Sequence, residues 1–176
     1  MKLKTVVTLF LLTALCMAAK SSAQTDVEPN LGKELKALQP MLGDWDFKGK
    51  LPNELPSSLK KSCVAEMHGM LVVERLSAKD DAGKDRQISL TVWRWDWQRK
   101  KLVAVSFSHD GVHNETEYAI DAKDDSKPTL TSIESKPGSP VATRQTLKII
   151  DRQTHSWRVE ATVGEGPIVD GIWKKR

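Results

Sequence analysis

Polar and apolar positions alternate with a period of two along most of this chain, most clearly in residues 90–113. Trp93, Trp95 and Trp97 alternate with Arg94 and Asp96, which predicts a strand with three indoles on one face. Gln98 to Lys101 is too polar for a core and predicts a tight turn. Val103, Val105 and Phe107 then share one face of a returning strand, which ends at His109, Asp110 and Gly111. A lone hairpin with an aromatic face is not stable in water, so it needs a neighbour on each edge.

The rest of the chain supplies such neighbours. Alternation predicts strands over residues 43–50, 61–67, 70–77, 85–97, 101–108, 112–121, 129–134, 143–151, 157–163 and 168–174. Between them lie Pro-, Gly- and Asp-rich connections, at 51–58, 79–84, 122–128, 137–140 and 164–167. These links suit antiparallel neighbours and leave no room for crossover helices, which excludes a parallel sheet. One helical period stands before the first strand: Leu31, Leu35 and Leu38, with Asn30 as N-cap and Pro40 as the stop. The expected fold is therefore all-β, an antiparallel up-and-down barrel of about ten short strands preceded by one short α-helix. Trp45, Phe47 and Trp157 fall on its apolar faces, so Trp45 and Trp157 are expected in the core.

Charge and cysteine content bear on compartment. Lys2 and Lys4 precede an apolar run over residues 5–19, and Ser21, Ser22 and Ala23 give a small-residue cleavage site. The run is too short to span a bilayer. Cys16 follows Leu15, where a lipoprotein signal would have a small residue. Residues 1–23 are expected to be a cleaved signal peptide, leaving a secreted or periplasmic domain of residues 24–176. Cleavage removes Lys2, Lys4 and Lys20, so 27 basic residues become 24 against 23 acidic ones, a net charge of +1. Such dispersed, balanced charge gives no basis for a nucleic-acid partner. Cys63 is then the one remaining thiol, with no intramolecular disulfide partner; it alternates with Ala65 and Met67 on an apolar face, as a buried inert thiol does.

Several motifs resemble a known family. Leu38 to Gly49, with Gly43-Asp44-Trp45, resembles the helix-to-strand opening of calycin-type (lipocalin-like) barrels. Gly69 to Arg75, Val92 to Asp96, Ser106 to Gly111 and Gly171 to Arg176 are similar to successive steps of small bacterial lipocalin-like domains of unknown function, the DUF1579-like group. The hairpin departs from that pattern, reading Arg94-Trp95-Asp96-Trp97 without its glycine and proline. Lipocalins also stack a late-strand arginine on the Gly-x-Trp indole, a place that Lys174 or Arg176 would have to fill here. The resemblance implies a barrel and a possible cavity, and no particular activity.

Candidate chemistry is sparse. His109 and His113 flank a glycine turn, where their spacing does not converge as it would on a helix, and His68 joins them only if two turns meet. His155 falls at an expected turn and offers no convincing proximal ligand. Ser106, Ser108, His109 and Asp110 are the residue types of a hydrolase triad without its nucleophile elbow. Glu115 and Glu117 share a solvent face. No catalytic residue, metal site or cofactor is assigned. The stronger signal is aromatic: Trp93, Trp95, Val105, Phe107, Tyr118 and Trp157 would line one interior, with Ser89, Thr91, Thr116 and Ala161 as small or polar neighbours. That set either fills a solid barrel or walls a pocket for a small, largely apolar ligand. The alternatives are a haem- or metal-dependent enzyme in a related barrel, similar in outline to nitrobindin-like proteins, and an interaction domain that pairs a free strand edge with a partner.

Overall fold

Ten strands follow one another as an antiparallel meander, and the last pairs with the first to close the barrel. They are β1 (Gly43–Lys50), β2 (Leu59–Glu66), β3 (Leu71–Lys79), β4 (Asp85–Asp96), β5 (Lys101–Ser108), β6 (His113–Asp121), β7 (Thr129–Ser132), β8 (Thr143–Asp151), β9 (Thr154–Ala161) and β10 (Pro167–Lys175). This computed structural model describes residues 30–51, 58–121, 123, 127–133, 143–161 and 167–176. The leader at 1–23, the turn at 137–140 and most of the links at 51–58, 122–128 and 164–167 lie outside the described residues. Among the described residues, no helix is long and apolar enough to cross a membrane.

The segment before β1 is helical but wound more tightly than its leucine spacing suggests. Lys33–Met41 is a 3₁₀ helix, with Gly32 rather than Asn30 at its N-cap and Pro40 inside it. Its backbone bonds run three residues apart, from Leu35 N–H to Gly32 O at 2.9 Å and from Leu42 N–H to Gln39 O at 3.2 Å. At three residues per turn, side chains three apart eclipse one another. Leu35, Leu38 and Met41 therefore form one buried stripe, and that stripe closes one end of the barrel. The Gln39 side chain holds the segment's entry, accepting from Leu31 N–H at 3.1 Å. Gly32 N–H donates to Gly69 O, tying the helix to the β2–β3 turn. Met67, His68 and Gly69 in that turn all have positive φ, of 49°, 56° and 82°. Gly69 has no alternative, because a Cβ there would lie 2.4 Å from Asn30 O.

The seam between β1 and β10 is closely fitted. Six registered pairs run from Trp45 opposite Lys175 to Lys50 opposite Asp170, and Gly49 faces Gly171 directly. A Cβ on Gly171 would lie 2.6 Å from Lys48 O and 2.8 Å from Gly49 Cα, and the Phe47 ring already covers that space. Trp45 is fully buried, and its indole N–H donates to Met41 O at 2.8 Å. The basic residue over that indole is Lys175, 5.7 Å from the ring centroid, not Lys174 or Arg176. Register decides this: Lys175 lies opposite Trp45, whereas Arg176 turns to Asp44 and Asp46, at 3.6 and 3.7 Å.

Register also corrects the central hairpin. Asp96 pairs with Lys101, which sets Trp93 opposite Ala104, Thr91 opposite Ser106 and Ser89 opposite Ser108. Directly paired residues share a face. The inner face of β5 is therefore Leu102, Ala104, Ser106 and Ser108, while Val103, Val105 and Phe107 point outward. Phe107 is 46% exposed, and Trp97, beyond the end of β4, is 67% exposed. Val103 is buried all the same: Arg94 and Glu117 flank it in register, and long charged side chains cover apolar surface with their stems.

Because Gly49 and Gly171 leave no room for a methyl group, Gly171→Ala is expected to cost about 1–3 kcal/mol, the usual range for overpacking. Equilibrium urea denaturation measures it. A midpoint matching the wild-type chain would contradict the close seam.

Candidate functional site

A cavity of about 250 Å³ lies inside the barrel. Its wall includes members of both core clusters: Trp93, Ala104, Tyr118 and Leu147 from the one nearer the helix, and Trp173 from the other, with Trp157 packed against both. It reaches the surface at Ser108, Val112 and Asn114, at the end of the barrel away from the helix. The space exists because of the hairpin register. Small residues, Ala104 and Ser106, stand opposite Trp93 and Thr91, so the large ring meets no large partner across the pair.

The wall is as polar as it is apolar. Thr91 and Ser106 share a hydrogen bond of 2.9 Å, and Tyr118 Oη donates to Gln145 Oε1 at 3.1 Å. Burial, reinforced by the Glu74 carboxylate, pushes the Tyr118 hydroxyl well above its ordinary pKa, so it stays a neutral donor. The Trp93 indole nitrogen is buried without a hydrogen-bond partner.

The most deeply buried charged side chain in the wall is Lys61. Its side chain is 1% exposed, on the inner face of β2 between Leu59 and Cys63. A lysine is almost never buried so fully without partners, and this one has three. Nζ lies 2.8 Å from His155 Nε2, 4.5 Å above the centre of the Trp173 ring, and 3.9 Å from Glu74 Oε2 on β3. His155 is wholly buried, edge-on to Trp45 at 4.3 Å and stacked on Trp173 at 6.3 Å. Burial, helped by the Lys61 charge, pushes its pKa down to about 2, so the ring is neutral. A neutral ring accepting from Lys61 at Nε2 carries its proton on Nδ1, which is buried and unpartnered. Cys63 Sγ lies 3.7 Å from the same Glu74 oxygen, and burial together with that carboxylate raises its pKa far above the thiol range. It is an inert thiol.

The aromatic set expected to line the interior divides in three. Trp93, Tyr118 and Trp157 line the cavity. Trp95 is half-buried and packs against the core cluster nearer the helix. Val105 and Phe107 are on the outer face. Ser89, Thr91 and Thr116 do face the cavity. Trp157, as a wall residue, is only partly buried, unlike Trp45.

The sequence patterns single out neither Lys61 nor Glu74 and put His155 at a turn, although parity marks Lys61 and His155 as inward. Lys61 has the phase of Leu59 and Cys63, and His155 that of Trp157 and Val159. His155 is no turn residue, because β9 begins at Thr154. Glu115 and Glu117 do face solvent, bound to Arg99 at 2.6 and 3.2 Å. His68 lies in the turn after β2, and His109 and His113 flank the turn after β5. In a meander those turns are at opposite barrel ends, so the three histidines do not converge. Nor do the triad residue types assemble: Ser106 bonds Thr91, while Ser108 and Asp110 bond the Val112 backbone.

The haem or metal alternative does not fit these residues. His155 does not line the cavity, and its Nε2 is taken by Lys61. About 250 Å³ also falls below the roughly 300–1,000 Å³ of pockets for drug-sized ligands, and is too small for a macrocycle such as haem. Among the described residues, no group of three or more His, Cys, Asp or Glu side chains could hold a metal ion. Pairing a partner with a free strand edge also loses its basis, since β1 and β10 pair with each other.

Fold and site together define a closed ten-stranded antiparallel barrel with a small, mixed-polarity internal cavity. Among solved structures, the chain is similar to the crystal structure of Rv2717c from M. tuberculosis, with a TM-score of 0.58 and 18% identity over 84% of this chain and 99% of that one. At that identity the likeness is one of fold. No family model matches the chain, and no curated protein does.

His155 makes stability depend on pH. The unfolded imidazole takes up its proton near 6.5 and the folded one only near 2, so its contribution is complete above pH 6.5 and is lost as the pH falls from 6.5 toward 2. The loss is of the order of 1.4 kcal/mol per pH unit. Urea denaturation between pH 7 and 4.5 should show a steeper decline for the wild-type chain than for His155→Gln. Equal slopes would contradict a buried neutral His155.

Proposed function

We propose that this chain is an exported binding module that holds a small ligand inside its barrel. The observation that carries the reading is the 250 Å³ cavity, walled by Trp93, Trp157, Trp173 and Tyr118 and interspersed with hydroxyl, amide and charged side chains. Rings give area burial and fixed polar groups give orientation, the combination that small-molecule sites use. The polar share of the wall favours an amphipathic ligand over the largely apolar one that the strand patterns suggested. Export is proposed from the basic n-region, apolar run and Ser-x-Ala site of residues 1–23, which would leave Gln24 as the first mature residue.

The cavity can be tested by filling it. Ala104→Leu puts a larger side chain opposite Trp93 without adding a polar group. Titration of the processed chain with small ring compounds and short acids, followed by indole fluorescence, should show at least one saturable ligand. Ala104→Leu should weaken that ligand at least tenfold while leaving the thermal midpoint at or above the wild-type value. Phe107→Ala, on the outer face, should leave binding unchanged. A ligand that binds Ala104→Leu as well as wild type, or no saturable change with any compound, would overturn the reading.

A further inference from the structure

Resting on the binding reading above, the chemistry of the cavity's charged wall identifies the class of ligand. We propose that this ligand is a small, flat, uncharged heteroaromatic ring whose edge carries a carbonyl acceptor beside an N–H donor, the edge of a cyclic amide such as a pyridone or pyrimidinone.

The argument starts from Lys61 and Glu74. They project from β2 and β3 into the same cavity, and Nζ stands 3.9 Å from the nearer carboxylate oxygen. A charge-assisted hydrogen bond is about 2.7–2.9 Å long, so the pair is within electrostatic reach but does not satisfy itself. Lys61 has three donors and gives one direction to His155 Nε2. Glu74 has two acceptor oxygens, and one of them has a long contact from the Cys63 thiol. Side by side, the two residues offer a donor and an acceptor to whatever enters. The complementary edge has an acceptor next to a donor. Each half of that pairing is used separately on nucleobases, where lysine donates to a ring carbonyl of guanine and a carboxylate accepts from the amino N–H of cytosine.

Charge narrows the class further. The wall holds one cation and one carboxylate, and no other charged residue lines the cavity among the described residues. A carboxylate ligand on Lys61 would lie against Glu74, and an ammonium on Glu74 would lie against Lys61. Like charges a few ångströms apart, largely shielded from bulk water, repel one another. A neutral ring leaves the pair balanced. Shape favours a flat ligand, because the rings of Trp93, Trp157, Trp173 and Tyr118 all contribute to the wall. Size limits it to one ring or a fused pair, as the volume equals roughly eight waters at about 30 Å³ each.

The test uses the processed wild-type chain and probes of matched size: 2-pyridone, uracil, benzoate, benzylamine and toluene. Isothermal titration is run at pH 7. Uracil and 2-pyridone are expected to bind at least tenfold more tightly than the other three. Glu74→Gln removes the repulsion and should raise benzoate affinity at least tenfold relative to uracil. Lys61→Met, a change of similar length that removes the buried charge, should abolish the preference for uracil over toluene. Benzoate, benzylamine or toluene binding wild type as tightly as 2-pyridone would overturn the ligand class and leave a binding barrel standing. An unchanged benzoate-to-uracil ratio in Glu74→Gln would also overturn it. If none of the probes binds while the Ala104-sensitive ligand of the previous section does, the class is again wrong. If nothing binds at all, the binding reading falls with it.

Discussion

The pairing of β1 with β10 is the contact on which the interior depends. It does more than remove two sheet edges. Trp45 belongs to β1, Trp173 to β10, His155 to β9 and Lys61 to β2, so these four side chains become neighbours only because the barrel closes there. Gly49 and Gly171 let the two strands approach, and Phe47 covers the space that their missing side chains leave. Once closed, the seam offers a buried lysine a neutral imidazole, a ring face and a nearby carboxylate. None of these alone would offset the removal of an ammonium from water.

The other side of the barrel is arranged for space. β4 contributes Trp93, Thr91 and Ser89 to the inside, and β5 opposes them with Ala104, Ser106 and Ser108. Large side chains there would have continued the solid core found around Trp45 and beneath the helix. Small and hydroxylated ones leave a cavity with hydrogen-bonding groups at hand. The outer face of β5 takes the larger Val103, Val105 and Phe107, and the Arg94, Arg99, Glu115 and Glu117 network beside it shields Val103. An exposed network of this kind adds little stability and is better understood as cover.

Much of the fold could be read from alternation, because a half-buried strand has to alternate. Strand number and the antiparallel order follow from it, and β1, β5 and β8 have the expected bounds. The interior was harder to read. Alternation gives two faces without saying which is inner, and the hairpin faces were assigned by hydrophobicity. That choice put Val105 and Phe107 inside, whereas the Asp96–Lys101 register puts Ala104 and Ser106 there. Lys61 was hidden for a related reason. Next to Lys60 it looks like surface charge, and only its shared phase with Leu59 and Cys63 marks it as inward. Glu74 has no such mark, since apolar residues lie on both sides of β3. The tight winding of the helix depends on burial of Met41 in register with Leu35 and Leu38, which the spacing of Leu31, Leu35 and Leu38 does not convey.

The account rests on Lys61 being an interior residue held by the closure seam, with its neighbour outside. Lys60 pairs with Asp85 at the surface, with its side chain 33% exposed, against 1% for Lys61. Adjacent lysines thus sit in different environments, one at the surface and one inside the barrel. Labelling of the native chain with a bulky, charged amine-reactive ester, resolved by peptide mass spectrometry, compares them directly, because such a reagent cannot enter a cavity of about 250 Å³. Lys60 should be labelled readily and Lys61 should stay unmodified until the chain is unfolded in urea. Labelling of both at similar rates in the native state would contradict the buried lysine, and with it the site built around it.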